Sequence, residues 1–169
     1  HDDHHHGPAK GFSRWLYTTN HKDIGSLYLW FSFIMLFVGG AMAMVIRAEL
    51  FEPGSQIVSP EFYNQMVTNH GLIMVFGVIM PAFVGLANWM IPMQIGAPDM
   101  ALPRLNNLSF WILPAAFGVL LSTFLMEGGA PNFGWTFYAP LSTEYAPPTV
   151  TFFIFCLLYT SDAADEPVC

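Results

Sequence analysis

Residues 24–46 read IGSLYLWFSFIMLFVGGAMAMVI, an apolar run without one charged side chain between Asp23 and Arg47. In an α-helix these 23 residues cover roughly 34 Å, which is enough to cross the hydrocarbon core of a bilayer. The run is also too uniformly apolar for a water-facing helix, which needs one apolar stripe and one polar face. It therefore predicts a transmembrane helix.

Two further uncharged runs have a similar length, one at residues 67–95 and one from about residue 108 to 126. A fourth apolar run, residues 150–159, is too short to cross a bilayer, and it ends at the polar residues 160–166. The pattern predicts an all-α membrane protein with three transmembrane helices and a truncated fourth.

The composition agrees with a membrane location and excludes other classes. Hydrophobic residues make up 54% of the 169 residues and charged residues only 10%, against about 25% in ordinary soluble domains. The formal net charge is -7 and no basic cluster is present. Because nucleic-acid binding requires a basic surface, we expect a lipid bilayer as the partner and no nucleic acid.

The orientation of the spans is predicted from the basic residues that flank them. Four basic residues lie on the same side of the predicted membrane as the N-terminus: Lys10, Arg14, Lys22 and Arg104. Only Arg47 lies on the opposite side. Basic residues accumulate in short cytoplasmic loops, so this count places the N-terminus in the cytoplasm and the second span running inward.

His70 is the most informative polar residue inside a predicted span. An ionisable side chain at membrane depth is costly, so it needs a partner or a function. A neutral imidazole there could bind haem iron, with a second ligand on the opposite side. The alternative is a buried histidine that is satisfied by a neighbouring helix, which is the commoner case.

Asn88 follows His70 by eighteen residues, which is five turns of an α-helix. Both side chains would then lie on one side of an unkinked helix. Pro81 lies between them and is expected to disturb this alignment if it kinks the helix.

Polar residues also surround the inner end of the second span, where Asp99, Asn106 and Asn107 follow one another in the sequence. A carboxylate with amides beyond it can start a chain of water molecules that carries protons. The alternative is a helix-capping loop, because Asp and Asn favour such positions.

Arg47 and the loop after it lie at the outer end of the first span. Arg47 either extends to lipid headgroups or holds an anionic or carbonyl group of a cofactor beside His70. Glu49 and Gly54 lie in a loop whose carboxylate and backbone oxygens suit Ca²⁺ or Na⁺, although most acidic loops bind nothing.

Four segments carry a resemblance to a known family: WLYTTNHKDIG (residues 15–25), IRAEL (46–50), NWMIPMQIGAPDMALPRLNNLSFW (88–111) and GWTFYAPL (134–141). Together they resemble the N-terminal part of subunit I of the haem-copper oxidases, on the cytochrome c oxidase branch. The resemblance covers about residues 15–155 and implies part of a twelve-helix bundle.

The resemblance implies a role for each matching residue at the outer end. His70 matches an axial ligand of a low-spin haem, of the haem a type. Arg47 matches the arginine that bonds the formyl group of that haem, and Trp135 matches an aromatic residue beside it. Glu49 and Gly54 match the loop of a Ca²⁺ or Na⁺ site.

At the inner end the resemblance implies a route for protons. Asp99 matches the carboxylate at the mouth of the D proton pathway. Asn88, Asn106 and Asn107 match the polar residues that line this pathway.

The implied complete enzyme would pass electrons from cytochrome c to O₂, which is reduced to water, and pump protons across a bacterial inner membrane together with subunits II and III. The ligands of the high-spin haem and of copper lie in later helices of the family. We therefore expect a fragment that is not competent alone, with a polar tail at residues 1–11 and the oxidase part at residues 12–155. We expect residues 156–169, which do not follow the family, to be foreign sequence.

Three alternatives remain at this point. Quinol oxidases share the core motif. A cofactor-free membrane scaffold or assembly protein would use His70 and Asn88 only to join helices. A b-type membrane cytochrome fits less well because such proteins carry paired histidines, whereas His70 is the only histidine in these predicted spans.

Overall fold

The first long helix begins with a side-chain cap. In the computed structural model, which describes residues 11–165 and side chains as far as residue 161, a short helix α1 (Phe12–Leu16) precedes α2 (His21–Glu49). The Asn20 side chain accepts a hydrogen bond from the Lys22 backbone N–H at 3.0 Å, which satisfies one of the free donors at the helix start. The 29 residues of α2 exceed the predicted apolar run because the polar residues at both ends also adopt helical structure.

The second span is one continuous helical segment with a change of helix type in its middle. It consists of α3 (Pro60–Leu72), a π-helical segment (Ile73–Ile79) and α4 (Met80–Gln94). The Ser59 side chain caps its start. The π segment ends two residues before Pro81, which has no N–H to donate. The Ser32 hydroxyl donates to the Val78 carbonyl within this segment at 2.7 Å.

The third span and the last helix pack side by side. The third span is α5 (Pro103–Ser122), extended by a 3₁₀ turn (Thr123–Leu125), and a long loop leads to α6 (Val150–Asp165). α5 begins at a proline, whose fixed φ suits the first helical position.

The predicted fold class is confirmed. The described residues contain no strand, and three helical segments are long and apolar enough to cross a membrane: His21–Glu49, Pro60–Gln94 and Pro103–Leu125. The apolar part of α6 is shorter, as predicted. The helix nevertheless continues to Asp165, because no Gly or Pro interrupts the sequence before Pro167.

The core lies between α2 and the second span and between α5 and α6. Gly25 and Gly85 permit the closest approach: a Cβ on Gly25 would lie 2.9 Å from the Gly85 carbonyl oxygen, and one on Gly85 would lie 3.0 Å from the Gly25 carbonyl oxygen. Small residues at such crossings let helices in membranes pack closely.

Residues 1–10 and 166–169 lie outside the described part of the chain. Most of the polar tail predicted at residues 1–11 is therefore not described. Of the non-matching segment predicted at residues 156–169, residues 156–165 belong to α6 and the last four are not described.

Candidate functional site

The up-and-down path of the spans places the predicted site residues at two opposite ends of the bundle. His21, at the start of α2, contacts Asp99, whereas Gly39, nearer the end of α2, contacts His70. From His21 to Gly39 the axis of α2 rises about 27 Å. The residues with a predicted haem role and those with a predicted proton role are therefore separated along the axis of α2.

His70 lies in the last turn of α3, half-buried against α2. Its Nδ1 is 2.8 Å from the carbonyl oxygen of Gly39. A carbonyl can only accept, so Nδ1 carries the hydrogen, and the lone pair of the neutral ring resides on Nε2. Metal-binding histidines are commonly held in this way, with the distal N–H donating to a backbone carbonyl.

Arg47 shares an open groove with His70. The groove has a volume of about 570 Å³ and is also lined by Ala43, Ile46, Leu50 and Phe51. Arg47 lies in the last turn of α2 rather than in the following loop, and its side chain is exposed. It forms no ion pair with any residue in the described part of the chain, so its guanidinium is free to bind an anionic or carbonyl group.

Trp135 lies outside this groove, in the loop between the third span and α6. Its side chain is 60% exposed and its ring packs edge-on against Phe76, with 6.3 Å between ring centroids. Phe76 belongs to the π segment of the second span. The structure thus places Trp135 against the same helical segment as His70, outside the groove that His70 shares with Arg47.

Two residues next to His70 hold the loop that carries Trp135. The Thr68 hydroxyl accepts a hydrogen bond from the Gly134 N–H at 3.2 Å, and the Asn69 amide donates to the Pro131 carbonyl at 3.1 Å. Asn69 is completely buried. We call these two contacts the loop latch.

Glu49 and Gly54, predicted to bind Ca²⁺ or Na⁺, line one pocket of about 510 Å³. The Glu49 carboxylate is buried, and it accepts three backbone hydrogen bonds, from Gln56 and Ile57 at 2.8 Å and from Val58 at 3.0 Å. Gly54 has φ +107°, a backbone conformation that favours glycine. Glu49 therefore closes the loop as an acceptor of backbone N–H groups, and a cation would have to share its oxygens with them.

Among residues 11–161, no three side chains of the His, Cys, Asp or Glu types lie close enough to hold a metal ion together. A cation at Glu49 would have to draw its remaining ligands from other oxygens.

Asp99 lies at the opposite end of the bundle, in contact with the start of α2. One carboxylate oxygen, Oδ1, accepts from the His21 backbone N–H and from His21 Nδ1, both at 3.3 Å, and from the Met100 N–H at 2.8 Å. The side chain is 38% exposed. Because Oδ2 has no hydrogen bond within the described residues, it remains available to exchange a proton with water.

The three asparagines make two separate contacts near this end. Asn106 Nδ2 donates to Asn88 Oδ1 at 3.0 Å in a buried contact between α5 and α4, and Asn107 Nδ2 donates to the Leu16 carbonyl at 3.0 Å. The Asn88 Nδ2, Asn106 Oδ1 and Asn107 Oδ1 atoms are buried and have no partner within residues 11–161. Such atoms are places where internal water is expected to bind.

The segment between His70 and Asn88 is not a regular α-helix, so an alignment of the two side chains no longer follows from their spacing. His70 contacts α2, and Asn88 contacts α5. The π segment between them follows an i to i+5 pattern, so its turns contain more residues than α-helical turns and change the phase of everything after it.

The sequence interpretation did not single out His21, Tyr28 or Ser109. His21 is buried beside Asp99, and its Nε2 has no partner among the described residues. Tyr28 and Ser109 are completely buried with their hydroxyls 2.9 Å apart. Since Ser109 donates its only hydrogen to the Asn106 carbonyl at 2.8 Å, Tyr28 is the donor to Ser109.

Tyr28 and Ser109 could have been noticed as polar groups in otherwise apolar spans. Their pairing across 81 positions of sequence has no local signal.

His70 and Arg47, at the end of the bundle opposite Asp99, fit the haem that the resemblance implies. A histidine whose Nδ1 is occupied by a carbonyl presents Nε2 as the ligand atom. A free arginine in the same groove can bind a polar substituent of the macrocycle.

Comparison with known proteins agrees with the family resemblance seen in the sequence. The family profile described as "Cytochrome C and Quinol oxidase polypeptide I" matches residues 23–162. The cytochrome c oxidase subunit 1 of Corynebacterium diphtheriae is 48% identical over 146 residues, which is 85% of this chain and 26% of that protein.

Two further relatives come from other organisms. A probable cytochrome c oxidase subunit 1-alpha of Streptomyces avermitilis is 48% identical over 145 residues, 85% of this chain and 25% of that protein. The heme-copper oxidase subunit I+III of Aeropyrum pernix is 47% identical over 137 residues, 81% of this chain and 17% of that protein.

The chain thus spans about a quarter, or less, of the length of these relatives. The profile match extends over all three membrane-spanning helices and into α6. The chain belongs to the cytochrome c and quinol oxidase polypeptide I family of haem-copper oxidase subunits.

Proposed function

We propose that this chain is part of the catalytic subunit of a terminal respiratory oxidase that passes electrons from cytochrome c to O₂ and couples their transfer to proton pumping. Within it, this segment supplies one axial ligand of the low-spin haem and the entrance of the D proton pathway. The observation that carries the proposal is the hydrogen bond from His70 Nδ1 to the Gly39 carbonyl, beside the groove that also contains Arg47.

At the outer end, His70 would hold the iron of a haem of the a type through Nε2, and Arg47 would bind the formyl group of that haem. Trp135 contributes an aromatic surface that packs on the second span through Phe76. When bound, the haem supplies a one-electron redox centre. The chain orients the haem, because His70 Nδ1 is held by the backbone carbonyl of Gly39, which is part of α2.

At the inner end, Asp99 takes protons from water through its exposed oxygen. His21 holds the other oxygen in place. The unpartnered amide atoms of Asn88, Asn106 and Asn107 bind the water molecules that carry protons inward. The buried hydroxyl groups of Tyr28 and Ser109 continue the row of polar groups formed by these asparagines toward the centre of the membrane. Ser109 connects to this row because its hydroxyl donates to the backbone carbonyl of Asn106.

The remaining parts of the function lie outside this chain. Later helices of the complete subunit supply the high-spin haem and copper sites, and subunits II and III complete the complex. We place the protein in a bacterial inner membrane with its N-terminus in the cytoplasm, following the distribution of basic residues. At the outer end, Glu49 and Gly54 contribute to a Ca²⁺ or Na⁺ site. We also propose that the oxidase part covers residues 12–155.

The direct test is a comparison of redox difference spectra of the complete oxidase that contains this segment, with and without His70→Ala. We expect the low-spin haem band to be lost in this variant and retained in His21→Ala, which removes another buried histidine about 27 Å away along α2. A low-spin haem band that persists in His70→Ala would show that His70 is not its ligand, and a wild-type protein without any haem band would favour a cofactor-free scaffold role.

A second measurement decides the electron donor. We expect turnover with reduced cytochrome c and none with a reduced quinol, because the relatives with 48% identity are named cytochrome c oxidase. Turnover with quinol alone would move the chain to the quinol oxidase branch, which the family description also includes.

A further inference from the structure

Gly39 makes two kinds of contact with the second span. Its carbonyl oxygen lies 2.8 Å from His70 Nδ1. Its Cα faces the π segment so closely that a Cβ would lie 2.7 Å from Met74 Sδ, 3.2 Å from Met74 Cγ and 3.3 Å from an Ile73 methyl carbon. Gly39 is buried and contributes no side chain to this contact, so the Met74 and Ile73 side chains lie directly against the backbone of α2.

The two contacts are geometrically linked. Met74 follows His70 by four residues and therefore lies about one turn further along the same side of the second span. Because Gly39 lets the Met74 side chain approach α2, the second span is close enough for the His70 ring to reach the Gly39 carbonyl. A larger residue at position 39 would separate the helices or displace Met74.

We propose that Gly39 is a positioning residue for His70, acting through its carbonyl oxygen and through its lack of a side chain. This inference rests on the proposed haem function and names the group that controls the ligand. The carbonyl fixes the ring orientation and keeps the hydrogen on Nδ1, so that the lone pair of Nε2 is the one offered to the metal.

The hydrogen bond also affects the electronic properties of the ligand. An N–H that donates to a carbonyl makes the imidazole more basic, and a more basic ligand stabilises ferric iron over ferrous iron. Weakening this hydrogen bond raises the reduction potential of the haem. Gly39 is therefore expected to keep the potential of the low-spin haem low.

The test uses the complete oxidase and a graded series at position 39. In Gly39→Ala, the flexible Met74 side chain can move partly aside, so we expect a small increase in the reduced fraction of the low-spin haem at a fixed ambient potential. In Gly39→Val, the branched side chain leaves less room, so we expect a several-fold increase. The g-values of the ferric low-spin haem in electron paramagnetic resonance should shift in the same order.

The chain offers a matched control and a rescue. Gly40 is the next residue of the same helix, and a Cβ there would meet nothing within 4 Å. Gly40→Ala and Gly40→Val therefore change the helix propensity of α2 as the matching position 39 variants do, while the added Cβ meets no atom of the second span, and both should keep the wild-type potential. Combining Gly39→Ala with Met74→Ala removes the closest contacts and should restore the wild-type value.

Three results would overturn the inference: an equal potential in the position 39 and position 40 series, no shift in the g-values, or no rescue by Met74→Ala. If Gly39→Val does not assemble, the alanine variant and its rescue decide the question. Loss of the low-spin haem in His70→Ala together with unshifted Gly39 variants would leave the haem proposal intact, whereas retention of the haem in His70→Ala would overturn the haem proposal itself.

Discussion

Asn106 donates a hydrogen bond to Asn88 across the buried interface of two helices, with 3.0 Å between Nδ2 and Oδ1. The contact uses only half of each amide, because Asn88 Nδ2 and Asn106 Oδ1 are buried without partners in the part of the chain that the structure describes. A pure structural crosslink would be expected to satisfy these atoms. The pair is instead suited to holding water at the end of the bundle where Asp99 lies.

The asparagine pair gives a test that separates stability from proton transfer. In Asn106→Leu, the Asn88 amide loses its partner while buried, which should cost about 1–3 kcal/mol of stability and slow proton uptake. In the double variant Asn88→Leu with Asn106→Leu, both polar groups are removed, so most of the lost stability should return. Proton uptake should stay slow, because no amide remains to bind water.

The measurements are the thermal stability of the complete complex and the proton uptake that follows rapid oxidation. A double variant that regains normal proton uptake would show that the pair has only a structural role.

Asp99→Asn should slow proton uptake and turnover while leaving the haem spectrum unchanged. The amide oxygen can still accept the hydrogen bonds of His21 and Met100, so the local fold is retained, but the group can no longer take up a proton. Asp23→Asn is the matched control, because Asp23 lies near the same end of α2 and its carboxylate is engaged by Arg14 at 3.0 Å. Equal proton uptake in the two variants would remove Asp99 from the proton route.

The loop latch should control the order of the segment that carries Trp135. Thr68→Val removes the acceptor of the Gly134 N–H, and Asn69→Leu removes the donor to Pro131, each at a cost of about 1–3 kcal/mol. Hydrogen exchange of residues 129–135 should become faster in both variants.

Thr143→Val serves as the control for the latch. Its hydroxyl donates only to the Pro140 carbonyl within the same loop, at 3.2 Å in an exposed position. If exchange in residues 129–135 is as slow in the latch variants as in this control, the two contacts do not hold the loop.

Glu49→Gln should loosen the loop after α2. The amide presents one oxygen and one NH₂ group to three backbone N–H donors, so at least one donor faces another donor. We expect faster hydrogen exchange at residues 56–58 and unchanged exchange in Glu52→Gln, whose side chain is exposed in the same loop.

Calcium titration of the same two variants tests the predicted cation site. Binding that is lost in Glu49→Gln and kept in Glu52→Gln would support a ligand role for Glu49. Calcium affinity equal to wild type in both variants would leave Glu49 with the loop-closing role alone.

The three spans could be predicted because the signal is local. A run such as residues 24–46 is long, apolar and free of charge, and these properties decide the element whatever it packs against. The bounds were less accurate, since polar residues such as Arg47 and Glu49 extend α2 by most of a turn beyond the apolar run.

The π segment could not be predicted from the sequence. Pro81 indicated a disturbance in the second span, but the change in hydrogen-bond pattern precedes the proline and depends on packing against α2, including the Ser32 contact with Val78. The spacing of His70 and Asn88 in the sequence therefore could not decide whether the two side chains lie on one side of the second span.

The candidate site was predictable as a set of residue types but not as a set of contacts. His70, Asp99 and Asn88 were noticed because polar side chains in or next to apolar spans are rare. The partners of His70 and Asp99 are a backbone carbonyl and a residue just before the first apolar run, and neither carries a distinguishing sequence signal. Such partners become visible only when the helices are packed.

The central claim is that Nε2 of His70 binds the low-spin haem iron. Its most direct measurement is the hyperfine coupling between the ferric low-spin haem and histidine nitrogen, recorded on the complete oxidase grown with nitrogen-labelled histidine. His70→Met keeps a possible axial ligand in place, so the haem should remain bound while one histidine nitrogen coupling disappears. An unchanged set of couplings in His70→Met would contradict the account.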